Sequence, residues 1–370
     1  MALPLALSHA RDGAQHGVMT VESLPTPLPD HVRAAFGPTV TYLNAASCGL
    51  LPITTAQVLE RADRQRVTGE FEIPAVDAVV ADCRAVIGRL TGFQAGQIAI
   101  GAQVSQLVGV IADSLPAGAK VLLPEGEFAS VVWPFLARPD LEVRTVPLAG
   151  LAAAVRPGDA LVAAAVVQSA DGAIADMPGV VAAARAVGAR VLFDLSQAAG
   201  WYPVHATGAD WVVGVGYKWL LASKGSAFLA GTDAALDTLR PVAAGWYAGY
   251  NPWETCYDAP LRLAADARRF DVSPAWSAWI GLRVSLELIE SIGIENIRRH
   301  DVALANRLRK GLGLPEGNSS IVAIAVGAEA LERLRAARVI GSIRAGRLRL
   351  ACHLYNTEED IDRALDVLAG

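Results

Sequence analysis

The sequence predicts an α/β protein with a mostly parallel sheet flanked by helices, followed by a smaller α+β C-terminal domain. Two observations carry this. Between residues 97 and 231, short apolar runs lack the strict in–out alternation of half-exposed strands, as expected of strands buried on both faces. Amphipathic stretches separate those runs, and strand–helix alternation is the pattern of parallel sheets.

Residues 1–40 are rich in proline, with TPLPD at 26–30, and read as an N-terminal arm with one short helix. Residues 41–245 form the large domain. Its strand runs are Gln97–Gly101, Lys120–Pro124, Glu142–Pro147, Ala160–Gln168, Arg190–Leu195, Trp211–Val215 and Ser226–Ala230. Helical patterns such as Ser105–Leu115 and Gly179–Val187 lie between them. Residues 246–275 break the rhythm with Gly, Pro and aromatics and read as a structured loop between domains. Residues 276–370 form the small domain. It begins with a helix over Trp276–Ser291 and another ending near Leu312. Then come a strand (Ser320–Val326), a helix (Ala328–Ala337), a strand pair (Val339–Ile343 and Arg347–Cys352) and a last helix (Thr357–Ala369). Thr357 followed by Glu358, Glu359 and Asp360 supplies that helix with a cap and first-turn acids.

Composition narrows the function. The chain has 370 residues, a formal net charge of −5 and no block of basic residues, which disfavours nucleic-acid binding. Cys48, Cys83, Cys256 and Cys352 are scattered with no CxxC pair, and the six histidines lack metal-ligand spacing. Neither a disulfide framework nor a metal centre is expected, and the cysteine pattern suits a reducing compartment. No apolar run approaches the roughly 20 residues of a spanning helix. The start, MALPLALSHARDG, lacks a basic leader, so a soluble cytoplasmic protein without a membrane partner is expected. Of 32 basic residues only Lys120, Lys218, Lys224 and Lys310 are lysines. Chemistry that needs a neutralisable amine has few candidates here.

Two motifs stand out. In VVGVGYKWLLASKGSAFLAG, residues 212–231, Lys218 follows an apolar strand between Tyr217 and Trp219. Desolvation there lowers an amine's pKa and frees its lone pair for attack on a carbonyl. The rival reading is a lysine snorkelling from a strand end, and Lys224 is the rival residue. In RVLFDLSQAAGWYPV, residues 190–204, Asp194 ends a strand, where α/β sheets bind ligands. A buried carboxylate needs a cation, and a protonated pyridine nitrogen is one. An Asp that only caps the next helix is the plainer alternative. Gln197 follows three residues later.

An aspartate at a strand end, a glutamine three residues on and a later Gly-Tyr-Lys together resemble fold-type I pyridoxal 5′-phosphate enzymes. Order and spacing resemble the class V aminotransferase superfamily, which includes cysteine desulfurases and kynureninase, from about residue 40 onward. The resemblance implies a Schiff base on Lys218, a ring nitrogen facing Asp194 and a ring oxygen contacted by Gln197 and Ser169. Tyr217 stands beside the lysine where desulfurases carry His. TYLNAASCG, residues 41–49, is similar to the family's opening motif on the substrate side, which brings in Asn44 and Ala46. Val104 and Ser105 start the helix that cups the phosphate, by free N–H groups and dipole. Phe128 falls where an aromatic stacks on the ring. RLRLACHLYNTEEDIDRALDVL resembles the signature before the last helix, in which Arg349 binds the substrate α-carboxylate. RRFDVSPAW resembles the segment whose hydroxyl, here Ser273, reaches a neighbouring subunit's phosphate, which implies a homodimer.

RVIGSIRAGRLR lacks the mobile cysteine by which desulfurases take up sulfur. GWYAGYNPWETCYD, residues 245–258, sets five aromatics in one loop. They read either as a satellite core or, through Trp246 and Tyr250, as a wall for a bulky, cationic substrate. In detail the chain resembles the pyridoxal-phosphate C–S lyases of ergothioneine biosynthesis. Their substrate is a cysteine sulfoxide joined to trimethylated histidine. A class V aminotransferase and a cysteine desulfurase- or epimerase-like enzyme are the alternatives.

Overall fold

The computed structural model describes residue 26, residues 28–205 and residues 207–370. In chain order the helices are α1 (Asp30–Arg33), α2 (Ile53–Thr68), α3 (Ile73–Thr91), α4 (Val104–Ser114), α5 (Ala129–Leu136), α6 (Met177–Val187), α7 (Asp233–Leu236), α8 (Trp276–Ile292), α9 (Ile294–Gly311), α10 (Ala328–Ala336) and α11 (Glu358–Ala369). The strands are β1 (Thr41–Tyr42), β2 (Ile98–Gly101), β3 (Lys120–Pro124), β4 (Glu142–Val146), β5 (Asp159–Ala165), β6 (Arg190–Asp194), β7 (Trp211–Val215), β8 (Ala227–Gly231), β9 (Ile321–Ile324), β10 (Val339–Ile340), β11 (Ser342–Arg344) and β12 (Arg347–Ala351).

Seven strands form the large sheet in the order β2-β8-β7-β6-β5-β3-β4. The pairs from β7 through β6, β5 and β3 to β4 are parallel, and β8 runs antiparallel to both β7 and β2. The expected mostly parallel sheet is therefore present. Its central strands carry apolar residues on both faces because both are covered. Val162, Phe193 and Val212 pack on one side with α3, α6 and α8, while Leu161, Leu192 and Val213 pack on the other with α4 and α5.

A three-stranded antiparallel sheet, β11-β12-β9, packs with α9, α10 and α11 around Leu304, Leu308, Leu348, Leu350 and Ile361. The run expected as one strand over Val339–Ile343 is split at Gly341. A Cβ there would lie 2.7 Å from Leu350 Cδ2. The backbone turns at that point, so β10 pairs in parallel with β1 and β11 pairs with β12. Residues 41–42 are thereby tied to the C-terminal part of the chain.

One buried ion pair joins three elements. Arg84 on α3 donates to the Ile98 carbonyl and to both oxygens of Asp271, and Asp271 also accepts the Ile100 N–H at 2.8 Å. This fixes the segment leading into α8 against β2. Burial pushes the Asp271 carboxyl up to about 6, with Arg84 opposing. An acid raised in the folded state favours folding at low pH, and that contribution is lost as pH rises through about 6. Arg84→Met strands a buried carboxylate and is expected to cost roughly 3–5 kcal/mol at pH 7.5. Urea unfolding should show a smaller loss at pH 5, where Asp271 carries its proton.

Candidate active site

Lys218 and Asp194 meet where the carboxyl ends of β6 and β7 open. Asp194 is the last residue of β6, between Ala165 of β5 and Val213 of β7. It is buried, accepts the Ser196 N–H at 2.8 Å and has its pKa raised by burial, with the Lys218 charge opposing. Lys218 lies three residues beyond β7 and is 6% exposed. Burial pulls its amine down to about 8, Asp194 opposes, and the charges of Arg349 and Arg344 add to the fall. Among the described residues no carboxylate lies within 4.0 Å of this amine, so the two opposite charges influence each other without forming an ion pair.

Close backbone packing holds the lysine turn. The Gly49 N–H donates to the Tyr217 carbonyl at 3.0 Å, and a Cβ on Gly49 would sit 2.0 Å from the Lys218 carbonyl oxygen. Only glycine allows that approach. The Phe128 and Tyr217 rings lie 5.3 and 5.8 Å from Lys218 Nζ, and Lys224 Nζ stands 5.9 Å from the Tyr217 ring. Before Phe128, Glu127 accepts from the Ala165 N–H, the Phe128 N–H and Gln168 Nε2 at 2.7, 2.7 and 2.9 Å. Glu127 thus pins the aromatic beside the strand ends. Sequence reasoning passed over it, because the two partners that give it a role, Ala165 and Gln168, are 38 and 41 residues away.

A polar network lines the opposite side. Gln197 Nε2 donates to the Ala46 carbonyl at 2.9 Å and to Ser169 Oγ at 3.2 Å, while Gln197 Oε1 accepts Trp219 Nε1–H at 2.8 Å. Both amide protons of Gln197 are therefore engaged, and its expected donation to a ring oxygen competes with these bonds. The Ser169 hydroxyl accepts from Gln197 and from Arg349 and keeps its own proton to donate. Arg349 is 1% exposed, and burial, with Arg344 adding to it, pulls its guanidinium down to about 10. It donates to the Ser169 carbonyl at 2.5 Å, to Ser169 Oγ at 3.0 Å and to Ser47 Oγ at 2.7 Å. Its Nε and Asn44 Oδ1 are buried polar atoms without a partner among the described residues. Behind the lysine turn, His353 lies between the Asp301 carboxylate at 2.9 Å and the Trp219 carbonyl at 3.1 Å.

Helix α4 starts at Val104 after an N-cap residue, Gln103, that makes no side-chain capping bond. Ser105 is exposed and does not cap the helix, so the first-turn N–H groups stay available to an anion. Ser273 is exposed just beyond the pinned Asp271. Trp246 and Tyr250 are not joined to this cluster. No hydrogen bond, ion pair or ring contact links either to Lys218, Asp194, Ser169 or Arg349 among the described residues. Trp246 packs on Tyr247 and Trp253, which both donate to Asp77 of α3 at 2.7 Å, and Tyr250 donates to Glu254. Within one chain the loop forms a satellite cluster on α3.

The depressed amine is directly testable in the cofactor-free protein. Acylation by a water-soluble anhydride, followed by peptide mapping, should modify Lys218 half-maximally near pH 8, well below an ordinary lysine. Asp194→Asn removes the opposing charge and should move that midpoint lower.

The chain as a whole is similar to known proteins. The family model described as Aminotransferase class-V matches residues 102–323, more than half the chain. The uncharacterized aminotransferase YcbU of Bacillus subtilis (strain 168) is 26% identical over 93% of this chain and 98% of its own. Isopenicillin N epimerase of Streptomyces clavuligerus is 27% identical over 91% and 97%. Two structures of C-DES share the fold at 20% identity. One holds this cystine C–S lyase with cysteine persulfide, and the other is a variant with glycine covalently linked to the PLP cofactor. Their TM-scores are 0.81 and 0.82, covering 90% and 91% of this chain and 97% and 98% of theirs. Pyridoxal 5′-phosphate fits the residues present: a buried carboxylate lacking an ion pair, a desolvated amine, an adjoining aromatic ring and an uncapped helix start. The chain belongs to the class-V aminotransferase family and works with pyridoxal 5′-phosphate.

Proposed function

We propose that the protein is a carbon–sulfur lyase that cleaves a cysteine sulfoxide conjugate by β-elimination, releasing pyruvate and ammonia. The conjugate we assign is hercynylcysteine sulfoxide, as the resemblance to the lyases of ergothioneine biosynthesis implies. One observation carries the reading: the buried Lys218 amine feels the charges of Asp194 and Arg349 yet, among the described residues, is ion-paired to no carboxylate.

When bound, the cofactor withdraws the electron pair left at the substrate Cα. Asp194 supplies the negative charge that keeps a ring nitrogen protonated. The α4 start, with the Val104 and Ser105 N–H groups, receives the phosphate, and Phe128 covers a ring face without titrating. The Ser169 hydroxyl donates to the ring oxygen while Gln197 holds Ser169 in place. Arg349 grips the α-carboxylate, with Asn44 and the Ala46 backbone beside it, and so turns the Cα–H bond toward Lys218. Lys218 with a pKa near 8 is neutral in about one molecule in ten at pH 7, far more than an ordinary lysine, and the neutral amine takes that proton as general base. The sulfur leaves as a sulfenic acid, which an external thiol then reduces, and the three-carbon fragment is hydrolysed.

The cysteine pattern supports elimination over persulfide transfer. Residues 338–348 contain no cysteine. Cys352, just beyond β12, is fully buried, and burial pushes its thiol far up. Cys48 is exposed on the opening motif, and burial raises its thiol too, with Lys224 opposing. We also assign a cytoplasmic homodimer in which Ser273 reaches the neighbouring phosphate. No helix among the described residues is long and apolar enough to cross a membrane. Aminotransfer or epimerisation is the second reading, since two relatives carry those names and the same three residues would serve.

Borohydride reduction of the holoenzyme followed by peptide mapping should place the label on Lys218. Lys218→Ala should lower pyruvate release by at least roughly 100- to 10,000-fold, the usual worth of general-base catalysis. Cys48→Ser should keep it. In a lactate-dehydrogenase-coupled assay, pyruvate should appear from cysteine S-conjugate sulfoxides. Nitrogen transfer to keto acids without pyruvate would establish the aminotransferase instead.

A further inference from the structure

Two arginines whose charges reach Lys218 have no ion-pair partner among the described residues. Arg349 on β12 and Arg344 on β11 both donate to the Ser47 hydroxyl, at 2.7 and 3.3 Å. In the β11–β12 register Ser342 lies opposite Arg349, and Arg344 lies opposite Arg347. Directly opposed residues project from one face of a sheet, so three guanidinium groups share a face. Arg347 has the Ala323 carbonyl and, at 3.9 Å, the Asp171 carboxylate. Among the described residues neither Arg344 nor Arg349 has a carboxylate within 4.0 Å. Arg344 otherwise donates to the Ile343 carbonyl, and Arg349 keeps a buried Nε with no partner.

A hydroxyl can accept from both guanidinium groups but neutralises neither. Like charges on one side of a hairpin repel. A buried cation without an anion is costly, and an orphaned buried donor calls for an occupant. The substrate's α-carboxylate compensates one guanidinium and leaves the second uncompensated. The buried Arg349 is adjacent to Ser169, whereas Arg344 is exposed at the solvent edge. The leftover charge therefore faces whatever extends outward from the amino-acid end of the substrate.

We propose that Arg344 and Arg349 form a receptor for two carboxylates of one substrate. Arg349 takes the amino-acid carboxylate, and Arg344 takes a second carboxylate carried on the sulfur substituent. Ser47 spaces the two forks. The identity of the ligand rests on the lyase reading, while the charge count does not. Arg344 is then a specificity residue that selects acid-bearing conjugates over neutral ones.

Calorimetric titration of the holoenzyme tests this with two ligands whose α-methyl group replaces the removable proton. These are S-(2-carboxyethyl)-α-methylcysteine and S-propyl-α-methylcysteine. The carboxyethyl ligand should bind at least about tenfold more tightly, a preference of about 1.4 kcal/mol that weakens with added salt. Arg344→Gln should bring the two ligands to within about threefold, and Arg344→Lys should restore part of the difference. Equal affinities in the unaltered enzyme overturn the receptor, as does an Arg344→Gln enzyme that weakens both ligands alike. Pyruvate release from the corresponding unmethylated sulfoxides is followed in parallel. If none is released while the binding preference persists, the lyase reading fails and the receptor stands.

Discussion

A lysine amine and a carboxylate are buried within electrostatic reach of each other and kept from touching. The separation is a property of the sheet. Asp194 is fixed by β6 and its bond to Ser196, while Lys218 sits on a turn beyond β7 that Gly49 locks from behind. Direct pairing would satisfy both charges and fix the amine in its protonated form. Held apart, each group is left unstable by burial, the acid pushed up and the amine down. A ring that places a cationic nitrogen against the acid and an electrophilic carbon against the amine relieves both at once. The surrounding elements serve to maintain that spacing.

The support is layered. Gln197 is clamped by Ala46, Ser169 and Trp219, and the Trp219 carbonyl is bonded in turn to His353. A misplaced lysine would have to displace a buried tryptophan and a histidine bonded to a buried carboxylate. Glu127 does the same for Phe128 through three donors. Burying Gln197, Trp219 and Glu127 is tolerable because their side-chain bonds are made, and satisfied networks are stiff, whereas Asp301 Oδ1 lacks a partner among the described residues.

Lys218 and Asp194 were legible in the sequence because each follows an apolar run, and a polar residue at the end of a buried strand is conspicuous. The sheet was legible for the same reason, since residues buried on both faces leave a continuous apolar signature. Glu127, Ser47, Trp219, Asp301 and Arg344 carried no such signature. Their roles depend on partners brought together by the fold, as with Ser47 and Arg349 or Asp301 and His353. The aromatic loop shows the reverse problem. Five rings in one stretch can line a pocket or pack on one another, and only the Asp77 anchor tells which occurs within this chain.

The pairing of β1 with β10 and the bridge between Asn44 and Ala351 bring opposite ends of the chain onto one wall. Ser47 and Arg349 are 302 residues apart yet share a hydrogen bond. During synthesis the central strands emerge and can pair long before β12 exists. The wall beside the amine therefore cannot be complete until residues 338–351 have been made and have met residues 41–47. A chain that stopped short of β11 and β12 would lack Arg344 and Arg349, and with their charges and cover gone the Lys218 amine would move back toward an ordinary lysine.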